Sequence, residues 1–79
     1  MRDLEETLIS YLKVHGRRIL ANLPEDQDVV KIEVRALFRY FKGKGKLMDR
    51  VEGFQWRGCR YEGGYMIVPV KLIRELVEQ

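Results

Sequence analysis

The 79-residue chain has one cysteine, one histidine, one tryptophan and two prolines. A lone Cys59 forms neither an internal disulfide nor a thiolate cluster for zinc, so a reducing, cytoplasmic setting is expected. His15 has no His or Cys at ligand spacing, which leaves no metal site to read and no cofactor to expect. There is no Pro-rich linker, internal repeat or low-complexity tract. The longest uncharged apolar run, Tyr65-Met66-Ile67-Val68-Pro69-Val70, is far too short to cross a bilayer. The N-terminus, Arg2-Asp3-Leu4-Glu5-Glu6, does not read as a signal peptide. Paired carboxylates and a nucleophile–base set are also missing. Gly43-Lys44-Gly45-Lys46 is no phosphate loop, because Leu47 stands where such a loop needs Ser or Thr. A chain of this length makes one domain burying only about 60% of its unfolded surface, with little room for a deep substrate cavity. An enzyme is therefore not expected.

What the chain does have is an uneven charge. Fifteen Lys and Arg against twelve Asp and Glu leave a modest +3. Residues 1–30 carry −2 and residues 61–79 carry −1, whereas residues 31–60 carry +6. Seven of the eight aromatics also fall between Phe38 and Tyr65. A polyanion would bind this middle third.

Residues 3–15 read as a helix, with Asp3 and Glu6 as a capping box, a stripe of Leu4, Leu8, Tyr11 and Leu12, and Gly16 as the stop. Residues 17–23 fit a further helical turn or a continuation of that helix, and 24–28 form a polar loop. Val30, Ile32 and Val34 alternate with charged residues, while Val34, Leu37, Phe38 and Phe41 recur at helical spacing. A strand over 29–32 running into a helix over 33–42 satisfies both patterns. A single strand over 29–41 is the alternative. As one continuous helix, 29–42 would gather Lys31, Arg35, Arg39 and Lys42 within an arc of about 80°. Lys42-Gly43-Lys44-Gly45 is a tight turn, and Leu47, Val51 and Phe54 mark a helix over 46–54. Gly63-Gly64 makes 55–68 a hairpin with a two-residue loop. Tyr61 then faces Met66, Arg60 faces Ile67 and Cys59 faces Val68. Tyr61, Cys59, Met66 and Val68 form the core face; Arg60, Ile67, Trp56 and Tyr65 form a partly wet one. Pro69 ends the strand and opens a last helix over 70–78, striped with Leu72, Ile73, Leu76 and Val77.

This α+β order resembles a winged helix-turn-helix domain with a C-terminal extra helix. Residues 33–41 match the first helix of the pair, 42–45 the turn, 46–54 the groove-entering helix and 55–69 the wing. The Trp56-Arg57 strand, the glycine turn and the close on Val68-Pro69 are similar to winged DNA-binding domains of archaeal, plasmid and viral replication proteins. The resemblance covers about residues 3–69. It departs from the usual form in the long 16–28 segment and the added last helix.

The resemblance implies a small DNA-binding regulator of transcription or replication. Lys42, Lys44, Lys46, Arg50, Arg57, Arg60 and Tyr61 are the candidate contacts, and duplex DNA is the favoured partner. Arg50 faces outward from the second helix, where it can pair bidentately with guanine. Tyr61 and Tyr65 either stack on bases or join Phe38, Phe41, Phe54 and Trp56 in the core. His15 reads as a surface residue at a helix end, and Cys59 as a core filler. The C-terminal stripe packs within the domain or builds a homodimer through the terminal helices. Two other classes fit the composition. One is an RNA- or ribosome-associated accessory protein with a three-stranded antiparallel sheet, which needs the 29–41 strand. The other is a protein–protein adaptor whose basic face meets an acidic partner.

Overall fold

The computed structural model describes residues 2–39 and 50–79. Within them the chain is α+β, with three helices and a four-stranded antiparallel sheet. The elements are α1 (Arg2–Ala21), β1 (Val29–Glu33), α2 (Val34–Phe38), β2 (Gln55–Trp56), β3 (Cys59–Glu62), β4 (Tyr65–Pro69) and α3 (Val70–Val77).

α1 buries Leu4, Leu8, Tyr11 and Leu12, the stripe read from its spacing. Its first turn carries Asp3 and Glu5 and its last turn Arg18, charges that suit the helix dipole. Asp3 lies inside the helix, so it is not the expected cap. Its carbonyl accepts the hydroxyl of buried Thr7 at 2.7 Å. Gly16 does not stop the helix either, and 17–21 continue it. A Cβ on Gly16 would lie 2.5 Å from Val77 Cγ1 and 3.2 Å from Ile73 Cγ2, so the missing side chain leaves room for α3 against α1. The end comes at Asn22, whose side-chain amide donates to the Arg18 carbonyl at 2.9 Å. Arg17 donates to the Val77 carbonyl at 3.2 Å and covers the end of α3.

β1 has the expected alternation, with Val30 and Ile32 inward. It turns into α2 after Glu33, where Val34 and Leu37 are buried. Residues 34–38 are helical, so the strand over 29–41 fails. The rest of the expected 33–42 helix, beyond Arg39, lies outside the described residues, as does the 42–45 turn. Of the expected 46–54 helix, Arg50 and Val51 are helical. The end falls at Val51 rather than 54, with Gly53 at φ 75° and the Phe54 amide donating to the Val51 carbonyl at 3.0 Å.

The sheet order is β1-β4-β3-β2. Arg60 faces Ile67 and Tyr61 faces Met66, the register that the Gly63-Gly64 loop implied. The first hairpin strand is not continuous, however. Arg57 and Gly58 form a second tight turn that splits it into β2 and β3, with Trp56 opposite Cys59. The Gly63-Gly64 turn does not project. Its Gly64 carbonyl accepts the Val34 amide at 3.1 Å, beside the paired Glu33 and Tyr65. At the other end of β1, the Val70 amide donates to the Asp28 carbonyl at 2.8 Å.

Cys59, Met66 and Val68 join the helices in one core, with Tyr61 and Trp56 packed at its margin. Ile67 is buried too, against expectation. It is on the other face of the sheet, between its cross-strand neighbours Lys31 and Arg60, whose stems can cover it. Leu72, Ile73 and Leu76 of α3 pack in the same core as α1. Among the described residues no helix is long and apolar enough to cross a membrane.

The close approach at Gly16 gives a test. Gly16→Leu should destabilise the protein by about 1 to 3 kcal/mol, the usual cost of overpacking, measured by urea unfolding. Gly16→Ala should cost less in a Val77→Ala background than in the parent, because the atom it meets is gone.

Candidate nucleic-acid interface

The described candidates sit on different elements. Arg50 follows the segment outside the described residues and reaches back to α1, where Nη1 donates to Asp3 Oδ2 at 3.2 Å. Arg57 occupies the β2–β3 turn, and its Nη2 donates to Glu75 Oε2 on α3 at 2.9 Å. Arg60 points from the sheet face away from the helices, with Nε 3.2 Å from Glu62 Oε2. Lys42, Lys44 and Lys46 lie outside the described residues. Each described candidate cation thus has a carboxylate partner. All six side chains are between 42% and 65% exposed. Such pairs contribute about 0 to 1 kcal/mol and exchange readily for another anion.

Among the described candidates, Arg57 and Arg60 come together. With Gln55, Trp56, Gly58 and Cys59 they line an open depression of about 340 Å³. Arg57 also borders a neighbouring depression of about 290 Å³, with Pro69, Lys71, Leu72 and Glu75. Linear reading missed Lys71 and Glu75, which are fourteen and eighteen residues from Arg57; only the fold of α3 against the turn brings them near.

The turn itself is unusual. Arg57 has φ 47° and Gly58 φ 86°, both left-handed. A Cβ on Gly58 would lie 2.9 Å from Pro69 Cγ, so glycine is needed there twice over. The first position of such a turn favours Asn, Asp or Gly. A left-handed residue with a long side chain costs about 1 to 2 kcal/mol. The guanidinium lies 5.7 Å over the Trp56 ring. That contact, about 0.5 to 1 kcal/mol when exposed, and the ion pair to Glu75 only roughly offset the backbone cost.

Tyr61 is half-buried on the inner sheet face, packed against the core. Tyr65 is exposed on the other face, with Lys31 Nζ 5.9 Å from its ring centre. Arg35 and Arg39 are exposed on and just after α2. His15 is not at a helix end, because α1 runs past it. It is half-buried, its ring centre 4.7 Å from that of Tyr11, and its Nδ1 accepts from Arg18 at 3.0 Å. Among the described residues no group of His, Cys, Asp and Glu could hold a metal ion.

Cys59 is a core residue, as read. Burial pushes its thiol up to about 11, although the Arg57 charge pulls the other way. The protonated thiol is a poor nucleophile at neutral pH.

Compared with known proteins, the chain matches no family model, no curated sequence and no solved structure.

The raised thiol pKa has a consequence for stability. The unfolded chain releases this proton near pH 9 and the folded one near 11. Stability linked to Cys59 is therefore complete below pH 9 and declines as pH rises through 11, by on the order of 2 kcal/mol. Urea unfolding at pH 7 and 10.5 should show a smaller decline in Cys59→Ala than in the parent.

Proposed function

We propose that this chain is a small nucleic-acid-binding module of the winged helix-turn-helix kind, with duplex DNA as its ligand and regulation of transcription or replication as its role. One observation carries the reading. Residues 34–54 hold six basic side chains (Arg35, Arg39, Lys42, Lys44, Lys46 and Arg50) and two acidic ones. This basic segment is anchored in the core at both ends, by Val34 and Leu37 before it and by Val51 and Phe54 after it.

In this reading residues 46–54 enter the major groove, Arg50 leaves Asp3 for a guanine edge, and Lys46 meets phosphate. Arg57 and Arg60 hold the flanking backbone. Catalysis, metal and cofactor have no part in it, and the setting is cytoplasmic. A homodimer through the terminal helices would use the outer side of α1, where Val14 is 64% exposed, because the α3 stripe is already buried within the chain.

The test is a gel-shift series on duplex DNA, single strands and structured RNA at two salt concentrations. Duplex binding should weaken steeply with salt. The Lys46→Ala/Arg50→Ala double variant should bind about 10- to 100-fold more weakly. Unchanged binding by that variant would remove residues 46–54 from the interface. Preference for structured RNA would make RNA rather than duplex DNA the ligand, and no shift at micromolar protein would favour an adaptor.

A further inference from the structure

The β2–β3 turn holds an arginine where a cheaper residue would build the same turn. Asn-Gly or Asp-Gly would reach the left-handed conformation of Arg57 and Gly58 with less strain. What Arg57 adds is a half-exposed guanidinium between two adjoining depressions. Arg60 borders the first depression and Lys71 the second. Arg57 thus stands between two further cations, Lys71 on α3 and Arg60 on the outer sheet face; Arg57 holds Glu75 at 2.9 Å and Arg60 holds Glu62 at 3.2 Å. Both members of the Arg57–Glu75 pair remain open to solvent, so a phosphate oxygen can replace the carboxylate without uncovering a buried charge. Arg57 is also held from below: the turn rests on Pro69 at Gly58, and the guanidinium lies over Trp56.

We propose that Arg57, flanked by Arg60 and Lys71, is a built phosphodiester-binding subsite, with Glu75 as a resident counter-ion that the phosphate displaces. This rests on the nucleic-acid reading and adds to it a contact on the α3 side of the sheet, with a carboxylate that holds binding down. Glu75 sets a threshold. A ligand must compete with it at Arg57, so weak, diffuse anions are disfavoured relative to a strand that also engages Arg60 and Lys71.

The experiment compares the full chain with three variants on one duplex, by fluorescence anisotropy across a salt series, with a thermal melt of each. Arg57→Asn should melt at or above the parent temperature, because asparagine suits the turn, yet bind about 10-fold more weakly with the salt slope reduced by about one. Glu75→Gln should bind several-fold more tightly. Arg57→Asn/Glu75→Gln has the parent's net charge, so weaker binding by it reports the guanidinium itself rather than overall charge. If the parent binds and this double variant binds equally well with the same slope, the subsite is overturned while the nucleic-acid reading stands. If Arg57→Asn melts well below the parent, Arg57 serves the fold and the subsite is overturned. If the parent binds no nucleic acid at low salt, both fall.

Discussion

The antiparallel pairing of β1 with β4 is the contact on which the arrangement depends. It joins Val29–Glu33 to Tyr65–Pro69 across some thirty intervening residues. Closing a loop of that length costs conformational entropy that grows only slowly with its size. The cost is offset by the apolar residues that the pairing brings inward, Val30 and Ile32 from one strand and Met66 and Val68 from the other. Backbone bonds extend the ladder at both ends, from Val34 to Gly64 and from Val70 to Asp28. Between those ends lie α2, the basic segment and the two short strands. The sheet therefore sets where the most positive part of the chain begins and ends.

Among the described residues, three arginines of the middle third sit in replaceable pairs. Arg50, Arg57 and Arg60 each hold an exposed carboxylate, on α1, α3 and β3 respectively. Pairs of this kind contribute little to stability because water already screens both members. They do lower the local positive potential, so the described part of the middle third presents less free charge than its residue count implies. A phosphate that takes the place of a carboxylate gives up at most about 1 kcal/mol on exchange and gains the release of its own counterions.

On the described strands, outward charged residues and the core are held apart by the alternation of side chains. Inward positions on all four strands meet α1 and α3, while Lys31, Arg60, Glu62 and Tyr65 stay on the other face. Ile67 is the exception, an apolar residue on that outer face that still becomes buried between two long cationic stems. The Arg57 turn belongs to neither face. It sits at the sheet edge against α3, which is why its neighbours come from distant parts of the chain.

Local signals in the sequence were enough for α1 as far as His15 and its buried stripe, a strand from Val29 to about Ile32 leading into a helix, the Gly63-Gly64 hairpin with its register, and the start of the last helix at Val70. Each rests on spacing or on turn chemistry among residues close together. Tertiary contacts decided the rest. Gly16 looks like a stop by propensity, but α1 and α3 need a residue without a side chain where they meet, and packing outweighs propensity. The break at Arg57-Gly58 was hidden because arginine gives no sign of a left-handed turn. The pairing of each arginine with a carboxylate was hidden as well for Arg50 and Arg57, whose partners lie 47 and 18 residues away. The order of residues alone determined that positive charge concentrates in residues 31–60. Which of those charges stand free, and which already hold a carboxylate, follows from the fold, because an ion pair depends on separation in space.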